Sequence, residues 1–454
     1  MKIKFLKGSI LTYLIAAVFC SCGSGAIKIK KNLTPAVRLS DEQLLDSIQY
    51  RTFQYFWDGA EPVSGMARER FHLDNIYPES DKNVVTSGGS GFGVMAIIVG
   101  IERGFIPREA GVQRLNRIAD FLEKADRFHG AWPHWMFGQT GKVKPFGSKD
   151  NGGDIVETSY LVQGLICAKN YMKSDVQHEK ALAEKLDQLC RGVEWSWYQN
   201  GKPALYWHWS PTHNWEMNFA IEGYNECLIA YVLGASSPTY PLSPEAYHQC
   251  WARSGGINGV TTKYGYTLKL KHNGAQEFGG PLFWSHYSYL GLDPRNLKDQ
   301  YANYWDETRN HVMIDYQYCV KNPKGFKNYG TDSWGLTASY SLNGYDAHMP
   351  SNDLGVISPT AALSSFPYSP EESMRAARYF YEKLGDKLWG PYGFYDAFSE
   401  TENWFPKRYL AIDQGPAIVM IENYRTQLFW KLFMEDKDVR NGLTRLGFSF
   451  SGKK

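Results

Sequence analysis

Asp150, Asp154 and Glu157 place three carboxylates within eight residues, in the run Asp150-Asn151-Gly152-Gly153-Asp154-Ile155-Val156-Glu157-Thr158. A helix beginning near Gly153 puts Asp154 and Glu157 on one face, with Asp150 in the loop that feeds it. A helix dipole favours acids at its N-terminus, so capping accounts for Asp154 as well as chemistry does. Carboxylates held close shift one another's pKa, and general acid/base catalysis uses such shifts. Glu222-Gly223-Tyr224-Asn225-Glu226 offers a second pair, four residues apart, at the opening of a helix and among Phe219, Ile221, Leu228 and Ile229. Desolvation there raises a carboxyl pKa, as a general acid requires, and Glu226 is the candidate. Asp413, in Ala411-Ile412-Asp413-Gln414-Gly415-Pro416, is either the cap of the last long helix or a further catalytic carboxylate. Glu277, Asp332, Asp346 and Asp353 are weaker candidates.

These groups must be positioned by helices, because the apolar pattern is helical nearly throughout. Ser40 and Gln43 form a capping box before Leu44. Helices are expected from there and over 86–104, 107–126, 153–173, 176–198, 215–234, 281–291, 299–320, 331–340, 359–366, 370–384 and 413–433. Strand-like alternation is confined to Tyr264–Leu270. Long connections (127–152, 200–214, 255–280, 342–358 and 389–412) alternate with short ones. Short hairpin loops at one end and long loops at the other predict an all-α (α/α)6 toroid, six helical hairpins with function on the long loops. Glycines 88, 89, 91 and 93 predict close packing of the second helix; with no strand before them and no Lys-Ser/Thr after, they are a poor phosphate loop.

The long loops are rich in aromatics: Trp132, His134 and Trp135 in the first, Trp207, His208 and Trp209 in the second, Tyr345 in the fourth. Tryptophan and tyrosine stack on the apolar faces of sugar rings, so the set reads collectively as a sugar-binding cleft, to which Trp284, Tyr287, Glu222 and Asn225 are added as candidate contacts. Hydrolysis of a glycosidic bond needs one protonated carboxyl and one ionised partner, and Glu226 facing the Asp150–Glu157 cluster or Asp413 supplies both. The chain lacks H-E-x-x-H and G-x-S-x-G, its acidic loop fails the EF-hand spacing, and neither a metal nor another cofactor is expected. A net charge of +2 without a basic block argues against nucleic acid. A non-catalytic glycan binder and a polysaccharide lyase are the competing readings.

The N-terminus carries Lys2, Lys4 and Lys7 before the short apolar run Ile10–Phe19, an export signal. Cys22 after Ser21 resembles a bacterial lipobox, giving a signal over residues 1–22, a tether over 23–40 and a catalytic domain over 41–454. The expectation is a monomeric exported lipoprotein, anchored by lipid in the periplasm or outer membrane. Of the five remaining cysteines, Cys167 and Cys227 lie in apolar runs and read as buried thiols.

The acidic run, the Glu222–Glu226 motif and the Ala411–Pro416 motif together resemble the Bacteroidetes "putative glucoamylase" proteins, glycoside hydrolase family 144, over residues 41–435. The resemblance implies an (α/α)6 toroid, activity on β-1,2-glucans with release of sophorose or sophorooligosaccharides, inversion and no metal. It also implies Glu226 as the acid, with Asp150, Asp154, Glu157 and Asp413 at acidic positions important to activity. The older family label implies α-glucan cleavage instead.

Overall fold

Outer and inner helices alternate along the chain, and their sequences differ accordingly. The computed structural model describes residues 38–78 and 81–450; Cys22, the export signal and most of the tether lie outside them. Helices α1 (Asp41–Trp57), α3 (Arg108–Lys124), α5 (Gln177–Arg191) and α9 (Pro370–Glu382) each bury one stripe, such as Leu44, Leu45, Ile48 and Phe53 of α1. Helices α2 (Ser87–Glu102), α4 (Ile155–Tyr171), α6 (Leu228–Ser236), α8 (Pro359–Ser364) and α10 (Ala411–Thr426) are buried along most or all of their length. A helix apolar on all sides belongs inside, and one with a single apolar stripe outside. Helix α7 (Tyr304–Lys321) precedes α8, while α11 (Leu428–Met434) and α12 (Lys437–Arg445) close the chain. The inner helices pack side by side, α6 on α4, α4 on α2, α2 on α10 and α10 on α8.

The α2–α4 crossing depends on glycine. A methyl group at Gly91 would collide with the Tyr160 carbonyl oxygen, and one at Gly164 with the Gly91 carbonyl oxygen. Backbone therefore rests on backbone, as the glycine run of α2 led us to expect.

Several expected elements differ. Residues 215–227 are turns rather than helix, because Asn218 (φ 44°) and Gly223 (φ 75°) take left-handed backbone, so α6 starts only at Leu228. The segment 331–340 is not helical; Ala338–Ser341 pairs antiparallel with Gly344–Ala347. Residues 281–291 form two 3-10 turns, Leu282–Ser285 and Tyr287–Tyr289. The last predicted helix is split at Gln427 (φ 63°). The strand signal near Tyr264–Leu270 is a hairpin of Asn258–Lys263 with Tyr266–Leu270. Short ladders without sequence warning tie the remaining loops together: Arg70–His72 with Arg408–Leu410, Val84–Thr86 with Trp135–Phe137, and Gly153–Asp154 with His208–Trp209.

Among the described residues no helix is long and apolar enough to cross a membrane. Cys167 and Cys227 are buried free thiols.

Candidate active site

A cavity of about 350 Å³ opens where the inner helices begin. Thr86 precedes α2, Val156 and Glu157 lie in the first turn of α4, Glu226 precedes α6, Phe283 opens the 3-10 turns, and Ile412 opens α10; all line it. Helix N-termini carry partial positive charge and spare N–H groups, so this end of the bundle suits carboxylates. Four of the five long loops reach this end through His134, Trp207, Tyr345 and Leu410. The loop 255–280 does not; its hairpin borders an open groove with α7, lined by Asn258, Lys298 and Glu307 and holding none of the motif carboxylates.

One wall is the acidic run. Asp154 caps α4: its Oδ1 accepts from the Val156 and Glu157 amides at 2.9 Å each. Its Oδ2 accepts from Trp207 Nε1 at 3.0 Å and meets His134 Nδ1 at 2.9 Å. Capping and site-building are thus the work of two oxygens of one residue. Glu157 Oε2 accepts from the Gly88 amide at 2.8 Å and the Thr86 hydroxyl at 3.0 Å. Its Oε1 stands 3.9 Å from His134 Nε2. Burial alone lowers His134, but Glu157 and Asp154 outweigh it and push the imidazole up to about 9. His134 is therefore an imidazolium that balances the carboxylates around it. Burial raises Glu157, an effect opposed by His134 and reinforced by Asp154. Asp150 lies behind this wall, with His208 Nε2 at 2.9 Å from Oδ1, a close contact rather than an aligned hydrogen bond.

Candidate metal ligands exist at the same place: one atom each from His134, Asp150 and Asp154 lies within 4.8 Å of the others. The two Asp154 oxygens already take four N–H groups, and a proton on His134 supplies the positive charge a cation would bring.

Glu226 lines the same cavity. Burial pushes its carboxyl up to about 7, with Glu157 adding to the rise and local hydrogen bonds opposing it. A carboxyl of that pKa, facing a cavity and still protonated near neutrality, is equipped to donate a proton. Asp413 lies one layer back, 3 % exposed and close enough to the wall residue Tyr287 for the two to act on each other electrostatically.

The sequence-derived candidates divide on this geometry. His134, Glu157, Trp207, Glu226, Tyr287 and Tyr345 line the cavity. Asp150, Asp154, His208 and Asp413 stand directly behind it. Others are elsewhere. Trp132 is fully buried, donates to the Leu122 carbonyl at 3.2 Å and stacks under Arg127, so it is core. Trp209 packs on His129 and Trp197. Glu222 is exposed and faces Arg253, because the left-handed Gly223 turns it away from Glu226. Asn225 caps the Cys227 amide, and Trp284 packs on His272. Trp135 of the expected aromatic set lines the cavity as well, and so do Glu69, Arg70, Phe146 and Tyr340, which were not foreseen. Glu69 and Arg70 sit in an alternating charge run, Arg68-Glu69-Arg70, that reads as solvated surface until the pairing of Arg70 with Leu410 brings it inward. Past Arg70, Tyr340 and Tyr345 the cavity continues as an open trough of about 780 Å³ bordered by His72, Trp404 and Arg408.

Comparison with known proteins is consistent with this arrangement. A family described as "Putative glucoamylase" matches residues 218–437. An endo-β-1,2-glucanase from Chitinophaga pinensis, solved with sophorotriose and glucose, is 63% identical; the match covers 91% of this chain and 99% of that one, with a TM-score of 0.90. A "putative glucoamylase" structure from Bacteroides caccae is 58% identical over 90% of this chain and 100% of its own, with a TM-score of 0.89. The exo β-1,2-glucooligosaccharide sophorohydrolase of Parabacteroides distasonis is 47% identical over 90% of this chain, which spans 58% of that protein's length.

Proposed function

Because the chain belongs to the glucoamylase-like family that includes the Chitinophaga pinensis endo-β-1,2-glucanase, we propose that it is a glycoside hydrolase of β-1,2-glucan or β-1,2-glucooligosaccharides. The observation that carries this is Glu226, a buried carboxyl pushed up to about 7 and facing a cavity whose other walls are acidic and aromatic. Glu226 protonates the leaving glycosidic oxygen. An inverting reaction then needs a base for water on the far side of the sugar ring. Glu157 is poorly suited, since the Gly88 amide, Thr86 and the His134 imidazolium occupy or face its oxygens. Asp413 suits the role better, acting through Tyr287: the tyrosine hydroxyl passes its proton to Asp413 as it takes one from the attacking water. The Glu157–His134 wall and Trp207 bind sugar hydroxyls and ring faces, and the trough beyond Tyr345 receives further glucose units.

The helices support an (α/α)6 toroid for the chain. Inner α2, α4 and α8 pack against the outer helices that follow them, α3, α5 and α9, the turn 282–285 packs against α7, and inner α10 packs against α1. The hydrogen bond of His286 Nε2 to Ser365 Oγ at 3.0 Å links the fourth inner element to the fifth. Export and lipidation at Cys22 complete the reading, and labelling with a fatty-acid analogue in wild type and Cys22→Ala tests them. Product analysis on linear β-1,2-glucan against starch tests the activity. Sophorose or longer β-1,2-oligosaccharides, released as the inverted anomer by proton NMR, are expected; glucose from starch alone would replace this reading with an α-glucan hydrolase.

A further inference from the structure

Behind the cavity wall, Asp413 is not alone. Asp396, fully buried in the loop 389–412, is in side-chain hydrogen-bond contact with it. Asp396 Oδ2 accepts from the Tyr340 amide at 2.8 Å, and Asp413 is in contact with Tyr287, so each carboxyl is also tied to a residue of the cavity wall. Each keeps one buried oxygen, Asp396 Oδ1 and Asp413 Oδ2, that no other group satisfies. An ionised carboxylate only accepts hydrogen bonds, so two of them cannot bond to each other without a proton. We propose that Asp396 is a positioning residue that shares one proton with Asp413 and thereby fixes both the acidity of Asp413 and the placement of the Tyr340 wall.

The surroundings fit one negative charge on the pair rather than two. The groups that act most strongly on it are Glu69, Tyr287, Tyr340 and Tyr345, none of them a cation; Arg70 and Arg408 act on Tyr340, and Arg70 is paired with Glu69. His286 borders the small space beside Asp413, and burial lowers it to about 3, leaving it neutral. Burial raises Asp396 to about 6 against the pull of its hydrogen bonds, and raises Asp413 well above the usual carboxylate range. Like charges that interact strongly ionise in separate, coupled steps.

Asp396→Asn provides the test. The amide oxygen still accepts from Tyr340, and its NH₂ donates to Asp413, which no longer needs the proton. In protein labelled with ¹³C at aspartate carboxyls, wild type is expected to show a pair titrating in two linked steps, and the variant a single step at lower pH. Asp413→Asn provides the mirror measurement on Asp396 should the first variant fold poorly. These measurements need no substrate, so they stand or fall apart from the hydrolase reading on which the catalytic consequence rests. On β-1,2-glucan, the acid limb of kcat in Asp396→Asn should move down by roughly one pH unit with KM held within about twofold. Asp396→Ala, which also strips the Tyr340 amide of its acceptor, should lose about tenfold or more in kcat, largely restored in the Asn variant. Independent titration of the two carboxyls, or an unmoved acid limb in Asp396→Asn, would overturn the proposal.

Discussion

Glu226 and Glu307 are two glutamates that loss of water pushes up to about 7. Glu307, on α7, receives the Lys269 amide at 2.8 Å and the Leu270 amide at 3.2 Å, and meets His272 Nε2 at 3.2 Å. It pins the 258–270 hairpin to the helix. Glu226 lines a cavity framed by helix N-termini and shared with Glu157 and His134. A displaced pKa therefore marks desolvation; whether the proton is free for chemistry depends on what else the oxygens hold.

The largest effect that could break this contrast is on turnover. Glu226→Gln should cut kcat on β-1,2-glucan by roughly 10³-fold, within the range for a lost general acid, with circular dichroism unchanged. Glu307→Gln should leave kcat within about threefold, and equal losses in the two variants would erase the distinction. For the same reason the wild-type rate should fall as pH rises through about 7, when Glu226 gives up its proton, and a rate constant across pH 6–9 would contradict the assignment.

Next in size is stability. His134→Gln leaves Asp154 and Glu157 without their cation and should cost about 2–3 kcal/mol near neutral pH in urea unfolding, since an uncompensated buried charge is expensive. Glu226 carries the opposite sign. Its folded pKa is raised, so its favourable contribution is complete below its unfolded value near 4.5 and is lost as pH climbs through about 7. Glu226→Gln should therefore match wild type at pH 4 and exceed it by about 3 kcal/mol at pH 9. Glu307→Gln should be destabilising by about 1–2 kcal/mol near neutrality, because an amide cannot accept at both former oxygens. The smallest test concerns aromatics: Trp207→Phe should raise KM about fivefold or more by removing a cavity contact and the hydrogen bond to Asp154, whereas Trp132→Phe should leave KM unchanged and lower Tm by a few degrees.

Carboxylates at helix starts were readable in the sequence because N-terminal position is a local property, shared by Asp154, Glu157 and Asp413. The alternation of amphipathic and all-apolar helices was legible for the same reason. Glu69 and Arg70 were not, because a strand pairing across hundreds of residues brings them in, and Tyr340 was not, because a local hairpin forms where the apolar pattern reads as helix. Trp132 and Trp207 stand in equally aromatic loops; only the acceptor each N–H finds, Leu122 or Asp154, separates core from cavity. Glu222 and Glu226 share a helical spacing but not a helix, since one left-handed glycine intervenes.

The backbone contact between Gly91 and Gly164 carries a consequence for how errors spread through this molecule. Glu157 lies two turns before Gly164, and the Gly88 amide that holds it lies one turn before Gly91. A methyl group added at this crossing, remote from any sugar, would wedge the two helices apart and loosen that grip. In a library of random variants, glycine codons deep in the bundle should thus score like active-site positions, and a map of activity loss would trace the contact line of α2 and α4 as clearly as the cavity itself.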